Sequence, residues 1–359
     1  MRVLSLGVAV LMLAACADST GPHVTEIPGT LRLPSSEFAS WLWTPDGQEI
    51  LYSTPFDYPD TGSSTSLEAI AVATGARRTV VARLPSPARI IGYRFSIRGA
   101  HVYFEVTKEP DRVSLYRVPL DGSSGAEVVL DTGSYGMTMS PDVRFVAWIE
   151  ASYKLVLVDV STRNRREYAL EGGASRVTWS PNGGSLVADS PESWQNTGTP
   201  FHWLDLSTGT MKLWRAPADE VTAGSSRDIV WEGNNPMVYV VHASVLRYSI
   251  ATGAREPLAT LPMRANAAGW SSDHGTVFTM SVDCLEVSTG PFGGDCIRWH
   301  STLDKLVLAT GARVNVVQHE GKDTIAGVID PTATWFVFGY LDCGQGCHSQ
   351  RSGLYVLRL

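Results

Sequence analysis

Four of the five cysteines stand in the last quarter of the chain, at Cys284, Cys296, Cys343 and Cys347. An even set of this kind closes disulfides in an oxidising compartment. The spacing favours Cys284–Cys296 and Cys343–Cys347, each stapling its own loop; either other connectivity would tie the two loops together. The run Cys343-Gly344-Gln345-Gly346-Cys347-His348, with Asp342 beside it, offers a metal two thiolates, an imidazole and a carboxylate instead. Thiolate ligands need reduced sulfur, so in an exported chain the disulfide is the expected fate and no metal or cofactor is expected. The eight histidines, His23, His101, His202, His242, His274, His300, His319 and His348, are scattered. A metal-dependent enzyme would need several of them to converge, and His242, His300 and His319 lie nearest to loops. Nothing else has the spacing of catalysis: no Gly-x-Ser-x-Gly elbow, no His-Glu-x-x-His run, no phosphate-binding glycine loop and no calcium loop.

Aromatic and acidic residues suggest binding instead. Phe56, Tyr58, Trp194, Phe292 and Trp299 fall in long segments that read as loops, together with Asp57, Asp60, Glu192, Asp283, Glu286, Asp295 and Asp342. Large aromatics in such places stack on sugars or anchor protein partners. The remaining tryptophans have a plainer role. Trp43, Trp179, Trp231 and Trp270 occupy one repeat position just before a turn, as inter-blade packing residues do, and Trp148 and Trp335 fall in apolar strands.

What must position these residues is a repeated hairpin. Val177 to Asp189 reads as an apolar run, a turn on Pro181, Asn182 and Gly183, and a second apolar run. Trp43-Thr44-Pro45-Asp46-Gly47 and Met139-Ser140-Pro141-Asp142 are close copies, and weaker ones begin at Phe95, Trp231, Trp270 and Ile329. The anchors are 52, 44, 40, 52, 39 and 59 residues apart. A third strand closed by a Thr-Gly-like turn follows most of them, as at Ala73-Thr74-Gly75, Ser207-Thr208-Gly209 and Ala251-Thr252-Gly253. Short strands at this period, four to a unit, predict an all-β, seven-bladed β-propeller. The last unit ends one strand short, so Thr30 to Leu33 is expected to supply its outer strand and close the ring. Loops between second and third strands leave a propeller on one face, and most of the extra length falls there: 55–66, 190–200, 282–303 and 341–352.

The Trp-Ser-Pro-Asn-Gly hairpin with its Thr-Gly element resembles the WD-like repeat of TolB-type propellers, and the resemblance covers essentially all of residues 29–359. It implies the fold and an envelope scaffold role, although the N-terminal domain that accompanies the propeller in TolB is absent. Residues 1–15 read as a signal peptide: Arg2, then an apolar run from Val3 to Leu13. Leu13-Ala14-Ala15-Cys16 is similar to a bacterial lipobox, which implies lipidation at Cys16 and a tether over 16–28. Ala17, where an Asp would favour inner-membrane retention, implies sorting to the outer membrane. A net charge of −7 and the lack of a long basic cluster argue against nucleic acid. The expectation is an exported lipoprotein, periplasmic or outer-membrane anchored, held to the membrane by its lipid only. It would be a monomer and a non-catalytic scaffold for an envelope protein. The rival expectations are a metal-dependent polysaccharide lyase and a glycan-binding lectin.

Overall fold

The repeated turn is held in one way in blades 1, 3, 4 and 6. In the computed structural model, which describes residues 30–32, 40–54, 66–84, 88–109, 112–190, 200–215, 217, 226–232, 235–261, 265–271, 273–287, 296–321, 326–340 and 353–359, a hydroxyl just after the anchor residue donates to a carboxylate or amide two positions on. Thr44 donates to Asp46 at 2.6 Å, Ser140 to Asp142 at 2.5 Å, Ser180 to Asn182 at 2.9 Å and Ser271 to Asp273 at 2.5 Å. The accepting oxygen also takes a backbone N–H two residues further along, from Gln48, Arg144, Gly184 and Gly275 in turn. The next turn residue has a positive φ, 67° at Gly47 and 71° at Gly183, and Val143, His274 and Ala333 adopt it without glycine. The last copy inverts the pair. Asp330 stands where the others carry a hydroxyl, Thr332 donates back to it, and Asp330 also accepts the N–H groups of Thr334 and Trp335 at 2.6 Å each. Ser-x-Asp has become Asp-x-Thr with the same hydrogen-bonding outcome.

Each turn joins the first two strands of a four-stranded antiparallel sheet. After β1 (Thr30–Arg32), blade 1 is β2 (Ser40–Trp43), β3 (Glu49–Ser53), β4 (Leu67–Ala71) and β5 (Arg77–Val81). Blade 2 is β6 (Arg89–Arg98), β7 (His101–Glu109), β8 (Arg112–Pro119) and β9 (Glu127–Asp131). Blade 3 is β10 (Thr138–Met139), β11 (Phe145–Glu150), β12 (Lys154–Asp159) and β13 (Arg165–Ala169). Blade 4 is β14 (Arg176–Trp179), β15 (Ser185–Asp189), β16 (Pro200–Asp205) and β17 (Thr210–Arg215). Blade 5 is β18 (Ser226–Glu232), β19 (Asn235–Val241), β20 (Ser244–Ser249) and β21 (Arg255–Thr260). Blade 6 is β22 (Asn266–Trp270), β23 (Thr276–Val287), β24 (Cys296–Val307) and β25 (Ala312–Gly321), and β26 (Ala326–Ile329), β27 (Trp335–Tyr340) and β28 (Gly353–Arg358) begin blade 7.

The ring closes as the sequence implies. β1 runs antiparallel beside β28, with Leu31 opposite Val356, and completes a sheet of order β1-β28-β27-β26. First strands sit innermost: β2 touches β6, β6 touches β10, β18 touches β22, and β22 touches β26.

Seven apolar clusters fill the seven interfaces between blades. Leu51, Leu67, Val102 and Phe104 join blades 1 and 2, and Tyr103, Leu115, Trp148 and Val156 join 2 and 3. Phe145, Leu157, Trp179 and Leu186 join 3 and 4; Val187, Phe201, Val238 and Tyr248 join 4 and 5. Tyr239, Val245, Val277 and Leu306 join 5 and 6; Phe278, Leu303, Phe336 and Tyr355 join 6 and 7. Trp43, Ile50, Tyr52, Val337 and Val356 complete the circuit between 7 and 1. Alternate residues of every second strand therefore pack into different interfaces, so each blade is buried on both faces and depends on both neighbours. The repeat tryptophans pack as expected, Trp43 and Trp179 inside clusters and Trp231 and Trp270 against them.

Candidate functional site

Blade 6 departs from the repeat. Its β23 and β24 have 12 residues each, against 5 in β3 and β15 and 6 in β11 and β27. Asp283 faces His300 and Cys284 faces Trp299 across this hairpin, and β25 continues it with His300 opposite Glu320 and Trp299 opposite Gly321. The segment 282–303, which reads as a loop in the sequence, is thus largely strand. Its described parts form a three-stranded extension that projects from the loop face by roughly 15 Å at ~3.3 Å per residue. Trp299 accordingly lies within β24, half-buried, and not in a loop.

The extension is stapled by the expected Cys284–Cys296 disulfide, with Cα atoms 5.8 Å apart. Around the staple, Val282, Leu285 and Val287 are exposed, at 40%, 46% and 55%. One side of the extension is polar. Glu320 accepts from Arg298 at 3.0 Å and lies 3.3 Å from His300 Nδ1, and Gln318 Nε2 is 3.5 Å from His300 Nε2. The Arg298 hydrogen bond, followed by the Arg298 charge, holds the Glu320 carboxyl below its ordinary range. Asp283 opposes His300 with Oδ2 buried and without a hydrogen bond.

These placements bear on the rival reading, which needs histidines to converge. His300 and His319 belong to the two outer strands of blade 6, away from the channel, while His242 sits in the tight turn between β19 and β20. The three do not meet, and among the described residues no group of three His, Cys, Asp or Glu side chains is arranged to hold a metal. His202 is buried in β16, and burial pulls its imidazole toward the neutral form. Cys16, Phe56, Asp57, Tyr58, Asp60, Trp194, Phe292, Asp342, Cys343 and Cys347 lie outside the described residues.

A concavity lies among the inner strands of blades 4, 5 and 6 and two of their first turns. It encloses about 430 Å³ between Arg176 and Thr178 of β14, Asp228 to Trp231 of β18, Trp270 of β22, and the turn residues Pro181 and His274. Arg176 is engaged: Nε and Nη2 donate to both oxygens of the fully buried Asp189, at 3.0 and 2.7 Å. Asp228 accepts from Trp270 Nε1 at 3.0 Å through Oδ2. Burial pushes its carboxyl up, against the Trp270 hydrogen bond and the Arg176 charge. Trp270 is steadied by an edge contact with Tyr239, 4.5 Å between ring centroids. The sequence holds a signal for this site that the repeat reading passes over. Arg176 and Asp228 each stand three residues before a repeat tryptophan, where the corresponding residues of blades 1 and 6 are Ser40 and Ala267.

Together these features define the class of protein: a seven-bladed β-propeller with one enlarged blade and a cavity among its inner strands. No protein-family model matches the chain, and no curated protein matches it by sequence. Solved structures match across nearly its whole length. Hydrazine synthase from Kuenenia stuttgartiensis superposes with a TM-score of 0.51 at 14% identity, over 95% of this chain and 98% of that one. Oligogalacturonate lyase from Vibrio parahaemolyticus superposes with a TM-score of 0.57 at 11% identity, over 92% and 93%. At such identities the likeness concerns the fold alone.

Proposed function

We propose that the protein is a non-catalytic binding module of the bacterial envelope that docks a protein partner on the loop face of its propeller. The observation that carries this reading is the blade 6 extension: a disulfide-stapled, rigid projection with Val282, Leu285 and Val287 turned to solvent. Exposed apolar side chains clustered on a stiff element, beside a half-buried tryptophan and a polar flank, have the make-up of an interface core with its rim. The disulfide also supports export, since such links persist in oxidising compartments. Export fits the lipobox-like run ending at Cys16 and membrane attachment through lipid alone. A metal-dependent polysaccharide lyase gains no support from the described histidines, which form no group of three with other His, Cys, Asp or Glu side chains that could hold a metal.

The test is positional crosslinking in the producing cell. A photoreactive residue at Glu286, on the extension, should give one saturable protein adduct, and the same residue at Asn182, on the opposite face, should give none. The double variant Leu285→Ser/Val287→Ser should reduce the Glu286 adduct roughly tenfold or more, since buried anchors carry most of an interface's energy. Equal adducts from both faces, or an adduct indifferent to the double variant, would sink the reading.

A further inference from the structure

We propose that the cavity between blades 4, 5 and 6 binds a small organic cation of the alkylammonium type, with Asp228 as counter-charge and Trp231 and Trp270 as walls. The local charge balance points this way. Arg176 lines the cavity, but its guanidinium is committed through two hydrogen bonds to Asp189. That pair is neutral as a unit, so Asp228 feels the Arg176 charge without a hydrogen bond from it, and its carboxylate is the group left for a further cation to pair. Its one hydrogen-bond donor among the described residues is the indole of Trp270, a neutral group. Oδ1 therefore retains its lone pairs beside the cavity that Asp228 lines.

A carboxylate so placed is costly until a donor or an opposite charge reaches it. The walls favour the charge. Two indoles line the same cavity, and tryptophan is the strongest of the aromatic partners for an ammonium group. Trp270 is held in place by Asp228 on one side and Tyr239 on the other, so the wall exists before a ligand arrives. An anion would meet Asp228, with the guanidinium that lines the cavity, that of Arg176, already engaged by Asp189. A neutral polyol could satisfy Oδ1 but would leave the charge unpaired. The site is separate from the blade 6 extension, so its failure and the failure of the docking reading are independent.

The experiment is a titration of the full chain followed through its indole N–H signals by NMR, with Trp270 and Trp231 assigned from Trp270→Phe and Trp231→Phe. The probe is cyclohexylammonium and the matched neutral control is cyclohexanol. The expected result is a saturable shift of the Trp270 and Trp231 signals with cyclohexylammonium, none at buried Trp148, and an affinity for cyclohexanol lower by at least about tenfold. Asp228→Asn keeps an acceptor for the Trp270 indole and removes the charge, so it should weaken cyclohexylammonium to the level of the neutral control. Should that variant fail to fold, the comparison of the two probes on the unaltered chain still decides. Equal binding of the two probes, an unmoved Trp270 signal, or an Asp228→Asn variant that binds as tightly as the parent overturns the proposal.

Discussion

Glu105 offers the sharpest quantitative test of the interior. It lies in β7, 1% exposed, on the side of blade 2 that faces blade 3. Oε1 accepts the backbone N–H of Met137 at 2.5 Å, while Oε2 is buried without a hydrogen bond, 3.8 Å from Arg94 Nε. Burial pushes the carboxyl up to about 7; Arg94 and the Met137 N–H pull the other way and do not prevail. The unfolded chain gives up this proton near 4.5. Between those two values the native state holds a proton that the unfolded state has lost, so stability falls as pH rises from about 4.5 to about 7 and levels off above. At about 1.36 kcal/mol per pH unit, the loss is about 3 kcal/mol.

Glu105→Gln removes this dependence while its amide oxygen still accepts from Met137. Melting temperatures of parent and variant should nearly coincide at pH 5. At pH 8 the variant should melt higher by roughly 5 °C, taking ~2 °C per kcal/mol for a domain of this size. The difference between the two proteins is the quantity to follow, because the other titrating groups cancel in it. A gap that stays constant from pH 5 to pH 8 would show that Glu105 ionises normally and that its surroundings are wetter or better paired than the geometry indicates.

Two further outcomes concern closure of the ring. A Cβ at Gly327 would stand 2.1 Å from the Val337 carbonyl oxygen and 2.7 Å from Phe338 Cα, both backbone atoms of the paired strand. Gly327→Ala should therefore cost about 3 kcal/mol in a denaturation experiment, whereas Gly125→Ala, with nothing within 4 Å, should be neutral; equal stabilities would refute the close approach. Removing residues 30–32 should bare the edge of β28, lower the melting temperature and produce concentration-dependent scattering. An unchanged, monodisperse protein would mean that β28 is protected in another way.

The fold was legible because the hairpin turn is local chemistry. A hydroxyl, an Asp or Asn and a residue able to take positive φ lie within four positions, and the copies at Thr44, Ser140, Ser180 and Ser271 show it directly. The strand that closes blade 7 was legible for a global reason: a ring with one strand missing needs a partner for β28. Blade 6 was misread because its extension has no neighbour to bury against. Val282, Leu285 and Val287 stay exposed, and the apolar-polar alternation from Met280 to Cys284 slips at Leu285, where the pairing is irregular. Pairing with β24 as far as Val287 opposite Cys296 makes the segment a strand, and no short window of sequence shows that pairing. Asp228 was missed for a related reason, since its surroundings come from β14, β18 and β22, elements some 50 residues apart.

The same contrast bears on what the extension is for. Elsewhere in the ring the second strands are stabilised by burial on both faces, and among the described residues no blade has a cross-link of its own except the sixth. Three strands that rise off the rim give up that burial, and they place apolar side chains in water where unfolded chain would place them too. A disulfide across a short loop lowers the unfolded chain's freedom by about 3 kcal/mol, comparable with the burial of one or two core side chains. At Cys284 and Cys296 the staple thus takes the place of the missing interface. An element that needs a covalent substitute for packing adds nothing to the stability of the ring, and a turn as short as that between β19 and β20 would close the blade. Its apolar tip becomes favourable when something covers it, and that is the physical ground for placing the partner there.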